Sequence, residues 1–194
     1  SADVVQQSQD GTRKYLWTLP DGEKIESVLI PSAGRRTLCI SSQAGCALGC
    51  TFCATGTMGL RRNLKTWEIA GQVREIVLAN PEEKPTNIVF MGMGEPLVNW
   101  PAVDATLTIL NSPDGFGIGA RHITVSTVGI VPGMKALAAR PEQFRLASVV
   151  RDSMDAVNRT LKELRDVRSQ METLMSAAKR VGADTSKFIT DEQA

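Results

Sequence analysis

The chain has 194 residues, 42% hydrophobic and 22% charged, which suits one globular domain with a substantial core and leaves little room for two. Its formal charge of +1, from 22 Lys and Arg against 21 Asp and Glu, lacks the strong basic excess of most nucleic-acid binders. No apolar run approaches the roughly 20 residues of a membrane span and no signal peptide opens the chain at Ser1, so a cytoplasmic setting without membrane contact is expected.

Lys14 to Leu19 and Lys24 to Ile30 are rich in aromatic and β-branched residues, with the Pro20, Asp21, Gly22 turn between them, which predicts an opening β-hairpin within 1–36. Strand–helix alternation follows over 37–150. Thr37 to Gln43 predicts a first parallel strand, then a loop rich in Gly and Cys reaches about Leu60. Thr66 can cap a helix in which Trp67, Ala70, Val73, Ile76 and Val77 recur at helical spacing. Asn87 to Met91 reads as an apolar strand buried on both faces, and Pro101 as the first turn of a helix continued by Val103, Leu107 and Leu110. His122 to Ser126 predicts another strand, Pro132 another short helix, and Phe144 to Val150 a fourth parallel strand. Strand–helix units in series imply an α/β fold, either an open sheet or part of a barrel.

Residues 151–194 differ in character. No Gly or Pro occurs from Asp152 to Val181, and Gly182 is a natural C-cap. Val157, Leu164, Met171 and Ala178 lie seven apart, Leu161 and Met175 fill the alternate seam, and Arg168 interrupts it. One long amphipathic helix is expected there, packed on its own domain or, given its length, used for self-association.

All four cysteines, 39, 46, 50 and 53, fall in one short segment. A disulfide framework spreads its cysteines to close long loops, so clustering in a cytosolic chain points to a metal centre. Cys46, Cys50 and Cys53 form a CxxxCxxC pattern, which can hold three irons of a 4Fe–4S cluster and leave the fourth free for the amino and carboxylate groups of a cofactor. Phe52 would shield such a cluster from water. Zinc fits less well, because it prefers paired CxxC knuckles and four protein ligands.

Residues 92–96 (GMGEP) follow the strand ending at Met91, and parallel α/β folds bind ligands at such carboxyl ends. The glycines let backbone approach a ligand, and Glu95 offers a carboxylate to an ammonium group. Ser126 ends the next strand, and either bonds a ligand's carboxylate or ribose or caps its own turn. Ser148, near the end of the following strand, carries the same two readings. Three basic groups stand out: Arg13 with Lys14, Arg35 with Arg36, and Arg61 with Arg62 and Lys65. Such groups are mostly solvated surface, and a minority contact RNA.

Stretches 10–14 (DGTRK), 25–28 (IESV), 38–43 (LCISSQ), 45–56, 62–64 (RNL), 92–96 and 125–129 (VSTVG) together resemble the RlmN/Cfr family of radical-SAM RNA methyltransferases, RlmN more closely, and the resemblance holds from about residue 10 to 148. It implies a partial (βα) radical-SAM barrel between the N-terminal hairpin and the long C-terminal helix, in a protein methylating C2 of adenine in 23S rRNA and tRNA. It implies a 4Fe–4S cluster on Cys46, Cys50 and Cys53, and S-adenosyl-L-methionine contacts from Gly94, Glu95, Ser126 and Ser148. Glu26 takes the place of a proton-accepting carboxylate, and Cys39 that of the cysteine that assists proton removal and resolves a covalent intermediate; taken alone, they read as an exposed strand residue and a buried strand thiol. RNA and an electron donor for the cluster are the implied partners. Carbon 2 of adenine is too electron-poor to attack a sulfonium methyl, so the family-like route uses an adenosyl radical and a methyl group carried on a protein cysteine.

The sequence departs from that pattern near Val149, and 54–194 holds no cysteine to carry the methyl group. Two rival readings follow: another radical-SAM activity, or a non-catalytic interaction protein using its C-terminal helix. The isolated chain is expected to bind cluster and cofactor weakly or not at all and to leave RNA unmethylated. Incubation of reconstituted chain with reductant, S-adenosylmethionine and an adenine-containing RNA hairpin checks this, and any 2-methyladenine formed would contradict it.

Overall fold

The structure, a computed structural model, describes residues 2–148, all within a compact unit spanning Ser1–Val149. The expected helix over 151–194 and its self-association lie outside the described residues. No described helix is long and apolar enough to cross a membrane.

Seven strands form one sheet in the order β1-β2-β3-β4-β7-β8-β9. β1 (Val4–Gln7), β2 (Arg13–Thr18), β3 (Lys24–Ser32) and β4 (Arg35–Cys39) run antiparallel to their neighbours. From β4 onward the sheet is parallel, through β7 (Asn87–Phe90), β8 (Ile123–Thr127) and β9 (Arg145–Ser148). The α/β class is therefore as expected. The opening hairpin is instead part of a four-stranded meander continuous with the parallel strands, because Val28 on β3 pairs with Cys39 on β4.

Three helices supply the crossovers: α1 (Thr66–Ala79), α2 (Trp100–Asn111) and α3 (Val131–Ala138). Pro101 and Pro132 sit in first turns, where a missing N–H costs nothing. Ile69, Val73 and Ile76 of α1 and Val103, Leu107 and Leu110 of α2 share a core with Ile25, Leu38, Ile88, Phe90, Ile123 and Val125 of the sheet. Trp67 departs from the expected apolar stripe, being 56% exposed, one position short of the buried Glu68 and Ile69.

Burial in β7 alternates, with Ile88 and Phe90 enclosed and Val89 only partly so. Among the described residues helices cover one sheet face only, so the expected burial on both faces is not seen there. The second face carries Glu26, Val28, Cys39, Val89, Thr124 and Ser126, all partly exposed, and it opens toward the candidate site.

Thr37 to Gln43 does not form one strand. β4 stops at Cys39, and Gln43–Gly45 becomes β5 of a separate antiparallel ribbon with β6 (Leu60–Asn63), bulged between Ala44 and Gly45. At the break, the Gln72 side chain of α1 accepts the Ser41 N–H and donates to the Ser41 carbonyl, both at 2.9 Å, replacing the lost strand partner.

Arg62 of β6 holds this ribbon to α1. Its guanidinium donates to both Glu68 oxygens at 2.8 Å and also pairs with Asp21 of the β2–β3 turn. Glu68 further accepts the Lys65 N–H at 2.8 Å, closing the helix N-terminus. Burial alone would push the Glu68 carboxyl up, but Arg62 and the Lys65 amide outweigh it and hold the group below its usual range. A carboxyl lowered by folding adds stability above its unfolded pKa of about 4.3 and loses that stability as pH falls. Arg62→Ala would strand a buried carboxylate and cost about 3 kcal/mol near neutral pH. In urea unfolding the deficit against wild type should begin to shrink above about pH 4.3, because burial without Arg62 lets the stranded group take its proton early, and shrink further below that pH as wild-type Glu68 takes its own.

Candidate functional site

The carboxyl ends of β7 and β8 and the loop between β5 and β6 enclose a cleft of about 170 Å³. Its lining includes Cys46, Cys50, Cys53, Gly94, Glu95 and Ser126. Six of the nine residues singled out in the sequence thus face a common space.

The turn at 92–96 is held by segment 40–43. Ser42 and Gln43 N–H groups both donate to the Met93 carbonyl, Gly92 N–H donates to the Ile40 carbonyl, and the Ser41 hydroxyl accepts Met93 N–H at 2.8 Å. A Cβ on Gly92 would lie 2.7 Å from the Ile40 backbone, and one on Gly94 (φ +96°) would lie 2.4 Å from Gln43 Cβ. These glycines therefore admit the protein's own chain on one side, and both also line the cleft where the sequence suggested that they admit a ligand.

Glu95 is 4% exposed, and its carboxylate already accepts two backbone N–H groups, from Leu97 at 3.0 Å and Val128 at 2.9 Å. Its expected role toward an ammonium group is joined by a second one, clamping the turn after β7 to the turn after β8. Each carboxylate oxygen keeps a further lone pair for a ligand donor, and Glu95 is among the residues lining the cleft.

The cysteine loop springs from the ribbon. Cys46 N–H donates to the Gly59 carbonyl, Cys53 N–H to that of Cys50, and a short 3-10 turn, Ala54–Thr57, follows. Cys46 is buried, Cys50 and Cys53 are partly exposed, and all are free thiols. Among the described residues no three His, Cys, Asp or Glu side chains stand close enough to hold a single metal ion. Three cysteines line the cleft and Cys39 does not, a donor set that suits a cluster with one open iron better than a zinc ion seeking four protein ligands. The residues fit the group on that ground. Phe52 is 75% exposed at the mouth of the cleft, so the expected shielding ring is uncovered by the described chain itself.

Glu26 and Cys39 are not among the cleft-lining residues. They share the open sheet face beside the cleft, Cys39 opposite Val28 in the β3–β4 register. Burial pushes the Cys39 thiol up, against a lowering N–H from Met91. Glu26 pairs with Lys14 Nζ at 2.7 Å, and its carbonyl accepts the Ser41 hydroxyl at 2.6 Å. Ser148 ends β9 in register with Thr127. Of the basic groups, Arg13 is engaged by Glu83 and Arg62 by Glu68 and Asp21, while Arg35, Arg61 and Lys65 are exposed.

Sequence reasoning missed Gln43 and Asn99 as site-framing residues. Gln43 bridges ribbon and turn, and Asn99 Nδ2 donates to the Ser42 and Leu64 carbonyls, each at 2.8 Å. Their signal, a polar residue at an apolar strand end or just before a helix, is too common to be read without coordinates.

Gly45 (φ +74°) separates two outcomes within the same loop, since a Cβ there would lie 1.9 Å from the Gly59 carbonyl oxygen, whereas one on Gly49 (φ +57°) would meet nothing within 4 Å. Gly49→Ala should cost about 1 kcal/mol of backbone strain. Gly45→Ala adds a backbone clash and should cost about 3 kcal/mol or more by urea unfolding.

A model of the radical SAM superfamily matches residues 40–189. A protein of Gemmatimonas aurantiaca named as a probable dual-specificity RNA methyltransferase RlmN is 64% identical over 156 residues, covering 80% of this chain and 43% of its own length. A Geotalea uraniireducens protein, named dual-specificity RNA methyltransferase RlmN, is 46% identical over 197 residues, covering 98% of this chain and 54% of that one. The crystal structure of a radical SAM methyltransferase from Sphaerobacter thermophilus superposes with a TM-score of 0.71 at 45% identity, over 76% of this chain and 44% of that one. The chain thus spans about half the length of the curated relatives it matches. It belongs to the radical SAM superfamily, and its similarity within that superfamily is to RlmN proteins.

Proposed function

We propose that this chain is the cluster- and S-adenosylmethionine-holding portion of an RlmN-type RNA methyltransferase acting on C2 of adenine in 23S rRNA and tRNA. One observation carries the reading: the CxxxCxxC cysteines share a cleft with Gly94, Glu95 and Ser126 at the ends of parallel strands. When bound, the cluster and S-adenosylmethionine supply an electron and a carbon-centred radical. Cys46, Cys50 and Cys53 hold the irons. Glu95 and the backbone at Gly94 receive the cofactor's amino end, with Ser126 and Ser148 as hydroxyl partners for its carboxylate or ribose.

Glu26 is the proton acceptor in this reading. It lies on the same open face as Cys39 and pairs with Lys14 Nζ. Cys39, raised by burial, is a protonated thiol at neutral pH and needs a base before it can act. Exposed Arg61 and Lys65, on β6 and at the start of α1, are available to RNA phosphates near the cysteine loop. An external electron donor serves the cluster, and self-association falls to the C-terminal segment.

The RlmN relatives favour this over another radical-SAM activity or a non-catalytic role. One observation supports cluster uptake by this chain, against the expectation of weak binding: all three cysteines line one formed cleft. Anaerobic reconstitution should give about four iron and four sulfide per chain. Cys46→Ser, Cys50→Ser or Cys53→Ser should each remove most of it, and Cys39→Ser should leave cluster content unchanged. Zinc in place of iron, or iron indifferent to those three replacements, would end the reading.

A further inference from the structure

Gln43 is 1% exposed and lies on β5, three residues before Cys46. Its Nε2 donates to Asn63 Oδ1 at 2.7 Å, across the ribbon in which the two residues are register partners. Its Oε1 accepts the Glu95 N–H at 2.8 Å. Glu95 in turn accepts the Val128 N–H at 2.9 Å. One relay therefore runs from Asn63 through Gln43 and Glu95 to Val128. It touches all three segments that frame the cleft: the ribbon carrying the cysteine loop, the turn after β7 and the turn after β8.

A carboxamide suits this position because it offers a donor and an acceptor in one rigid plane, so displacing either end misaligns the other. A carboxylate would keep only the acceptor arm, and an apolar side chain neither. Burial makes a broken arm costly, which turns the relay into a two-sided constraint. Gly94 lets the contact form, since any side chain there would collide with Gln43.

We propose that Gln43 is a positioning residue coupling the cysteine loop to the cofactor-facing turns, so that seating a cluster on the loop orders the Glu95 and Val128 turns before S-adenosylmethionine arrives. The proposal rests on the assignment of Cys46, Cys50 and Cys53 as cluster ligands. Coupling between sites is reciprocal, so an ordered Glu95 turn also favours the loop geometry that accepts the cluster.

Amide hydrogen exchange of the full chain, kept anaerobic and without S-adenosylmethionine, tests it by comparing apo and reconstituted protein. Cluster loading should slow exchange in the 46–59 loop and also slow the Glu95 and Val128 amides by about tenfold, within the usual range for coupled sites. Asn63→Ala, at an exposed position, should retain iron and sulfide and the loop effect but lose the effect at Glu95 and Val128. Asn63→Asp, which restores an oxygen acceptor, should recover it. Gln43→Ala should behave as Asn63→Ala does, at a greater cost in stability. Slowing confined to the loop in wild type, or undiminished at Glu95 in Asn63→Ala, overturns the coupling while leaving the cluster assignment intact. A wild-type chain that takes up no iron and sulfide overturns the cluster assignment, and the coupling falls with it.

Discussion

Everything around the cleft depends on how closely segment 40–45 approaches segment 92–95. Ile40 and Ser41 accept hydrogen bonds from the turn after β7, Ser42 donates one, and Gln43 does both. That approach is possible only because residues 92 and 94 lack side chains. The same contact sets the direction in which the ribbon leaves the sheet, and hence where the cysteine loop begins. A steric condition at two glycines thus determines the spacing between three thiols and a carboxylate far away in sequence.

Polar side chains buried beneath the site carry out much of this alignment. Trp17 Nε1 donates to the Ser27 hydroxyl, which donates to Gln72, and Gln72 closes on both backbone groups of Ser41. Asn99 treats the Ser42 and Leu64 carbonyls likewise. An apolar core tolerates small sliding of its parts, whereas a fully satisfied buried network selects one register. The chain uses the first kind of packing under the helices and the second where strands end at the cleft.

Elements with a strong periodic signal were legible in the sequence. The strands at Arg13–Thr18, Lys24–Ser32, Asn87–Phe90 and Ile123–Thr127 and the three helices all fall within a few residues of their expected places. β6 was not legible, because Leu60–Asn63 (LRRN) is exposed along most of its length and has no apolar alternation to reveal a strand. The division of 37–43 was hidden for a related reason: what interrupts the strand is a glutamine from a helix some thirty residues later. In the site, residue chemistry singled out Cys46, Cys50, Cys53 and Glu95, which share one cleft, but the clamping role of Glu95 required knowing that Val128 lies beside it.

The strand order has a consequence for biosynthesis. Apart from the ribbon, each strand of the sheet pairs with the one completed just before it, from β1 through β9. A chain emerging N-terminus first can therefore zip each new strand onto an edge that already exists, without waiting for a later partner. The cysteine loop, between β4 and β7, is made early and waits for its opposite wall. Its three free thiols are thus in place before the strand ends that enclose them have been synthesised.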